Sequence, residues 1–166
     1  MISPTPIPKI GIRQIELHTH IHATESVEKV TNLIQHVCCD QIQEKDLHVD
    51  FLSGVYGQKL CAVTVILRRQ AEIQSFLQLF ASQLSPEDKI TLENEFERRL
   101  DEKWHFYMRI DKQKMTHNQI TLATTPDVIQ IILSIQIKTP KLMRALDHVK
   151  SFFNEIGLFQ AQKMNS

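Results

Sequence analysis

Residues 15 to 23 alternate strictly. Ile15, Leu17, Thr19, Ile21 and Ala23 take one side; Glu16, His18, His20 and His22 take the other. Period-two alternation predicts a half-buried strand. Thr24 then stands where a helix cap is expected, ahead of Val27, Val30, Ile34 and Val37 at helical spacing. A second strand is expected over 46–52, with Leu47, Val49 and Phe51 inward. After the turn signal Gly54-Val55-Tyr56-Gly57 a third strand runs to about Arg68, with Cys61, Val63, Val65 and Leu67 inward; together they read as an antiparallel hairpin. An amphipathic helix is predicted over 70–84, carrying Ile73, Phe76, Leu77 and Phe80. Ser85-Pro86-Glu87 signals the start of another, charged almost all round as far as Lys103 and therefore expected on the surface.

The second half repeats the strand pattern. Trp104, Phe106, Met108 and Ile110 alternate with His105, Tyr107, Arg109 and Asp111. Ile120 and Leu122 mark a short further strand. Residues 127–138 place Ile129, Ile131, Leu133, Ile135 and Ile137 inward and Gln130, Ser134, Gln136 and Lys138 outward, with Ile132 an exception. Thr139-Pro140 is expected to open a last helix, which Gly157 stops. One apolar face per strand predicts an α+β fold. It is a two-layer sandwich: a mainly antiparallel sheet with helices packed on one face. No repeat or linker interrupts 1–166, so one domain is expected, ordered over about 14–157, with 1–11 and 160–166 flexible.

Composition narrows the function. The 166 residues hold 19 basic and 19 acidic side chains, which excludes coating nucleic acid by bulk charge. The balance is uneven along the chain. Segment 87–103 holds seven acids and four bases, which leaves 12 acids against 15 bases elsewhere. Three cysteines, Cys38, Cys39 and Cys61, without a CxxC spacing fit a reducing cytoplasm and no disulfide framework. No apolar run is long enough to span a membrane.

Catalytic signatures are missing: there is no Gly-rich phosphate loop, GxSxG or HExxH, and no nucleophile–base spacing. No catalytic residue, cofactor or enzymatic activity is assigned. His18, His20 and His22 share a strand face, with Glu16 beside them. Ligands in one straight row cannot surround a tetrahedral ion well, so no metal is assigned either. Arg68 and Arg69, Lys112, and the group Lys138, Lys141 and Arg144 give local basic character. Cations at the expected start of the last helix make sense if a phosphate sits between them and the helix N–H groups.

Four stretches in order carry a resemblance. They are His20-Ile21-His22-Ala23-Thr24-Glu25 through Val30, Gly54-Val55-Tyr56-Gly57-Gln58, Phe106 through Gln113 with its Arg-x-Asp-Lys-Gln pattern, and Asp127 through Lys141. Together they resemble a family of small archaeal proteins described as exosome subunits or RNA-binding proteins. Gln58 departs from that family's Asn. The resemblance implies a sandwich related to a large-subunit ribosomal protein, no catalysis, RNA as partner, and a place beside exosome or other RNA-processing proteins. The residues expected to meet RNA are Tyr56, Arg68, Arg69, Tyr107, Arg109, Lys112, Lys138 and Lys141. A protein-interaction subunit that never touches RNA is the alternative. The open sheet face, neutral by formal charge and with Tyr107 its single aromatic, does not choose between them.

Overall fold

The computed structural model describes residues 9–38, 42, 46–53, 59–139 and 142–160. Five strands form one antiparallel sheet: β1 (Ile10–Ile21), β2 (Leu47–Ser53), β3 (Lys59–Leu67), β4 (His105–Asp111) and β5 (Val128–Ile137), in the order β2-β3-β1-β5-β4. The helices are α1 (Val27–Val37), α2 (Gln70–Gln83), α3 (Pro86–Asn94), α4 (Phe96–Arg99), α5 (Lys112–Met115) and α6 (Ala145–Glu155). Their apolar sides meet one face of the sheet, so the expected two-layer α+β sandwich is what forms. The alternation sets which face is covered. Ile15, Leu17, Val63, Val65, Phe106, Met108, Ile129, Ile131 and Leu133 are all fully buried on the helix side.

The strand forecasts hold closely because a period of two cannot be mistaken once one face is buried. β1 starts earlier than expected, at Ile10, beside Ile137 of β5. A register shift between Ile12 and Gln14 lets the long central strand bend. The expected strand at Ile120 and Leu122 reduces to one bridge, Ile110 to Leu122. Phe51 was expected inside. It faces the helix side, opposite buried Cys61, yet is 74% exposed, as no helix among the described residues covers that corner.

Helix boundaries moved more. Ser26, not Thr24, caps α1: its Oγ accepts the Lys29 N–H at 3.4 Å. Ser85 caps α3 as anticipated, accepting the Asp88 N–H at 3.1 Å. The long surface helix forecast over 87–103 does not form. It breaks at Glu95 into α3 and α4, and Leu92 and Phe96 are buried at 0% and 1% exposure. Phe96 is the hub of the aromatic core, with ring centroids 5.6 Å from Phe106, 5.4 Å from Phe153 and 5.5 Å from Phe159.

The last helix opens at Ala145, not at Thr139-Pro140; Arg144 precedes it in a left-handed conformation at φ 55°. Lys138 therefore does not stand at a helix N-terminus, and the phosphate pocket expected there loses its basis. Gly157 ends α6 as foreseen. Its φ of +82° favours glycine, and the Ala81 Cβ, 3.1 Å from where a side chain would begin, would have to give way to any other residue.

Candidate nucleic-acid interface

The uncovered sheet face is organised by register. Antiparallel partners share a face, so the pairings His48 with Thr64, Thr64 with His18, His18 with Gln130 and Gln130 with Arg109 make one polar row across all five strands. His18 is fixed in it. Its Nε2 lies 2.8 Å from Glu16 Oε1 and its Nδ1 3.0 Å from Thr64 Oγ1. A neutral ring meets both partners by donating from Nε2 and accepting the hydroxyl at Nδ1. Next to the row lies a depression of about 470 Å³ lined by His18, His20, Ala62, Arg109, Pro126 and Gln130 among others. Arg109 is exposed, and among the described residues no carboxylate ion-pairs with it. Its guanidinium is free to take a phosphate, with imidazole and carboxamide groups beside it for ribose or base edges.

Lys112, which the sequence singles out as a phosphate contact, does not line this depression. The structure gives it another task. It is 2% exposed, and its Nζ donates to the His20 carbonyl at 2.6 Å and meets Glu25 Oε2 at 2.8 Å and Asp127 Oδ1 at 3.3 Å. An ammonium has three N–H groups, and here each has an oxygen. It is not offered to a ligand. Asp127 also accepts from Gln113 Nε2 at 2.8 Å. Burial alone would raise the Asp127 carboxyl, but Gln113 and Lys112 outweigh it and hold it below the usual carboxylate range. His22, Glu25 and Asp127 bring one ligand atom each within 4.8 Å of one another, a spacing that suits a metal. The Lys112 ammonium already serves both carboxylates, so it takes the part a cation would play. Asp111 is buried and caps α5, accepting the Lys114 N–H at 2.9 Å.

The opposite end of β4 holds a second anchored group. Asp101 accepts from the backbone N–H of Lys103 and of His105, each at 2.9 Å, from the His105 ring at 2.9 Å, and from the Tyr107 hydroxyl at 3.1 Å. Burial pushes its carboxyl up. The His105 and Lys103 donors and the Tyr107 hydroxyl push it down further, to about 2. Tyr107 is raised in turn by burial and by Asp101. Its ring is half-buried with the hydroxyl committed, so it offers little of a stacking platform.

The remaining expected contacts do not converge. Arg68 Nε donates to Gln14 Oε1 at 3.3 Å, and Arg69 pairs with Glu72 at 3.5 Å. Lys138 follows the Ile137 that faces Ile10, whereas Arg109 lies level with His18. Eight residues along β1 separate those levels, about 26 Å at strand rise. Tyr56 and Lys141 lie outside the described residues. The sequence therefore supplied Arg109 and the histidines but not the row that joins them, because register between distant strands is not written in any one of them. Pairing of His18 with Thr64 across 46 residues has no local signal.

A sequence model of a family described as RNA binding matches residues 14–135, which takes in β1 through most of β5. The chain belongs to that RNA-binding family. Among its relatives is RNA-binding protein PAB1135 of Pyrococcus abyssi, 29% identical over 130 residues, covering 77% of this chain and 84% of the relative. The crystal structure of protein AF2318 from Archaeglobus fulgidus superposes with a TM-score of 0.71 at 25% identity, covering 88% of this chain and 99% of that one. Mth689 from Methanothermobacter thermautotrophicus shares the fold, with a TM-score of 0.67 at 20% identity over 88% of this chain and 98% of its own. All three relatives are archaeal, as the resemblance implied. Among the described residues no helix is long and apolar enough to cross a membrane.

Proposed function

We propose that this chain binds RNA on its open sheet face, with the depression beside Arg109 as the centre of contact and no catalytic step. The family match carries this reading. The lining residues named above all fall within the matched span 14–135, whereas Lys138 and Lys141 fall beyond it. The chemistry indicates the kind of contact. One free guanidinium takes a phosphate, and imidazoles and Gln130 take hydroxyls or base edges. With Tyr107 anchored, stacking of splayed bases contributes little, so the face suits the ribose-phosphate surface of a structured RNA. An accessory role in the cytoplasm beside the exosome or other RNA-processing proteins fits a binder without a reaction centre. The buried thiol of Cys61 suits a reducing compartment.

The test is fluorescence anisotropy with a labelled RNA hairpin across a salt series. Binding at 50 mM salt that weakens steadily toward 200 mM is the expected outcome. Absence of any shift at low salt would sink the proposal. It would favour a protein-interaction subunit instead, which the formal neutrality of the face, Glu16 and Asp50 against Arg68 and Arg109, already permits. Affinity purification that retains both RNA and protein decides whether exosome subunits accompany it.

A further inference from the structure

A sheet has two edges, and here they are finished differently. On β4 the edge is closed: Leu100 bridges to Phe106, and Arg99 Nη1 donates to the Tyr107 carbonyl at 3.3 Å. On β2, among the described residues, β3 is the only strand paired. That edge also carries Phe51, 74% exposed on the helix-covered side, and the exposed pair His48 and Asp50 on the open side. An edge strand left open beside an uncovered aromatic is a template for another strand.

We propose that β2 is a homotypic interface, at which a second copy of this chain adds its own β2 antiparallel about a two-fold axis through Val49. The order of residues along the strand selects that occupant. With Val49 opposite its own copy, His48 falls opposite Asp50 of the second copy, and Leu47 opposite Phe51 of the second copy. By symmetry each contact occurs twice. The open face gains two acid–imidazole pairs, and the helix side gains two apolar pairs that cover the exposed Phe51. The neighbouring registers are opposed by charge. An axis through His48 sets Asp46 against Asp50 twice, and an axis through Asp50 sets that carboxylate against itself. A one-residue shift in pairing would put polar side chains opposite apolar ones, on the wrong face. Since the axis stands perpendicular to the sheet, both open faces point the same way in the dimer. The two-fold pairing does not depend on what that face binds.

Sedimentation equilibrium on the full chain, at about pH 6 where an ordinary imidazole is largely charged, tests the idea. The wild type is expected to dimerise in the micromolar range. His48→Asp opposes like charges twice and should raise the dimer dissociation constant about tenfold or more. The swap His48→Asp with Asp50→His restores the opposite pairing and should return it to within about threefold. Circular dichroism melts establish that each variant is folded. In case an edge substitution unfolds the chain, Val49→Cys gives an independent reading. On the axis it should form an intermolecular disulfide on mild oxidation, under conditions where the wild type does not. A wild type that stays monomeric at about 100 µM overturns the proposal, since that is far above the expected range. A dimer indifferent to His48→Asp, a folded swap that fails to restore pairing, or Val49→Cys without cross-linked dimer overturns it equally.

Discussion

Two side chains carry more of the fold than their exposed neighbours suggest. Lys112 holds Glu25 and Asp127 together in their cluster, at 2.8 Å and 3.3 Å, closer than the His22 imidazole at 3.7 Å from each. Lys112→Met keeps the volume and leaves two carboxylates facing each other. Those carboxylates are still 21% and 27% exposed, so water relieves part of the cost. The expected loss is about 3 kcal/mol in a urea titration, the low end for breaking a buried pair. Asp101 gives a pH signature. Its folded pKa of about 2 lies below the usual carboxylate value, so the stability it contributes is complete above about pH 4. It is lost as pH falls toward 2. The melting temperature of Asp101→Asn should therefore fall less steeply than the wild type's between about pH 4 and 2. Equal slopes would mean the carboxylate does not act this way. Neither residue announced its role in the sequence. The sequence marks Lys112 as an RNA contact through its local basic character and the Arg-x-Asp-Lys-Gln pattern, whereas burial of its ammonium depends on partners 87 and 15 positions away.

Elements were legible in proportion to how sharply their pattern repeats. All five strands followed from alternation, which a buried face enforces residue by residue. The segment 87–103 misled because its charges outnumber its apolar residues. Leu92 and Phe96 are buried in the core and Leu100 packs against it, and these few decide where the chain lies. Their spacing of four is a helical signal. The break at Glu95 between them is not, since nothing there excludes helix by its chemistry. Phe96→Ala should make the difference plain. It removes a ring in contact with three others and should cost about 4 kcal/mol, read as a shift in the denaturation midpoint with the slope unchanged. A cost below about 1 kcal/mol would mean that α4 is peripheral after all.

At the scale of the whole molecule, neutrality conceals an orientation. Glu87, Asp88 and Glu93 belong to α3, in the helix layer, and Arg109 and the histidine row belong to the uncovered face. The sequence showed that acids and bases are segregated along the chain. Only the fold shows that the acids of α3 sit behind the sheet, while Asp101, in the same stretch of sequence, is held by the Tyr107 hydroxyl and the His105 ring. A nucleic acid approaching the open face meets Arg109 first, with the acidic helix a layer away and partly screened at physiological salt. Arg109→Ala should weaken RNA binding about tenfold at 0.1 M salt and lower the salt slope by about one counterion. Lys138→Ala, remote from the depression, should change neither by more than about twofold. Equal losses from both would move the contact surface to the other end of the sheet. The candidate site was thus half visible in advance: its residue types were there to see, its shape was not.

The Lys112 cluster has one more consequence, in the way the molecule opens. One ammonium joins the carbonyl at the end of β1, the carboxylate of Glu25 just ahead of α1, the start of α5 and the residue that precedes β5. No one of those segments can leave without breaking a contact of the buried ammonium, so they should fluctuate as a unit. Native-state hydrogen exchange should give the amides of Lys114, Val30 and Ile129 a common opening free energy in the wild type. In Lys112→Met those amides should open independently, at different energies. A buried cation of this kind sets the grain of the protein's motion: it decides which pieces must move together, and so which boundaries a binding partner could prise apart.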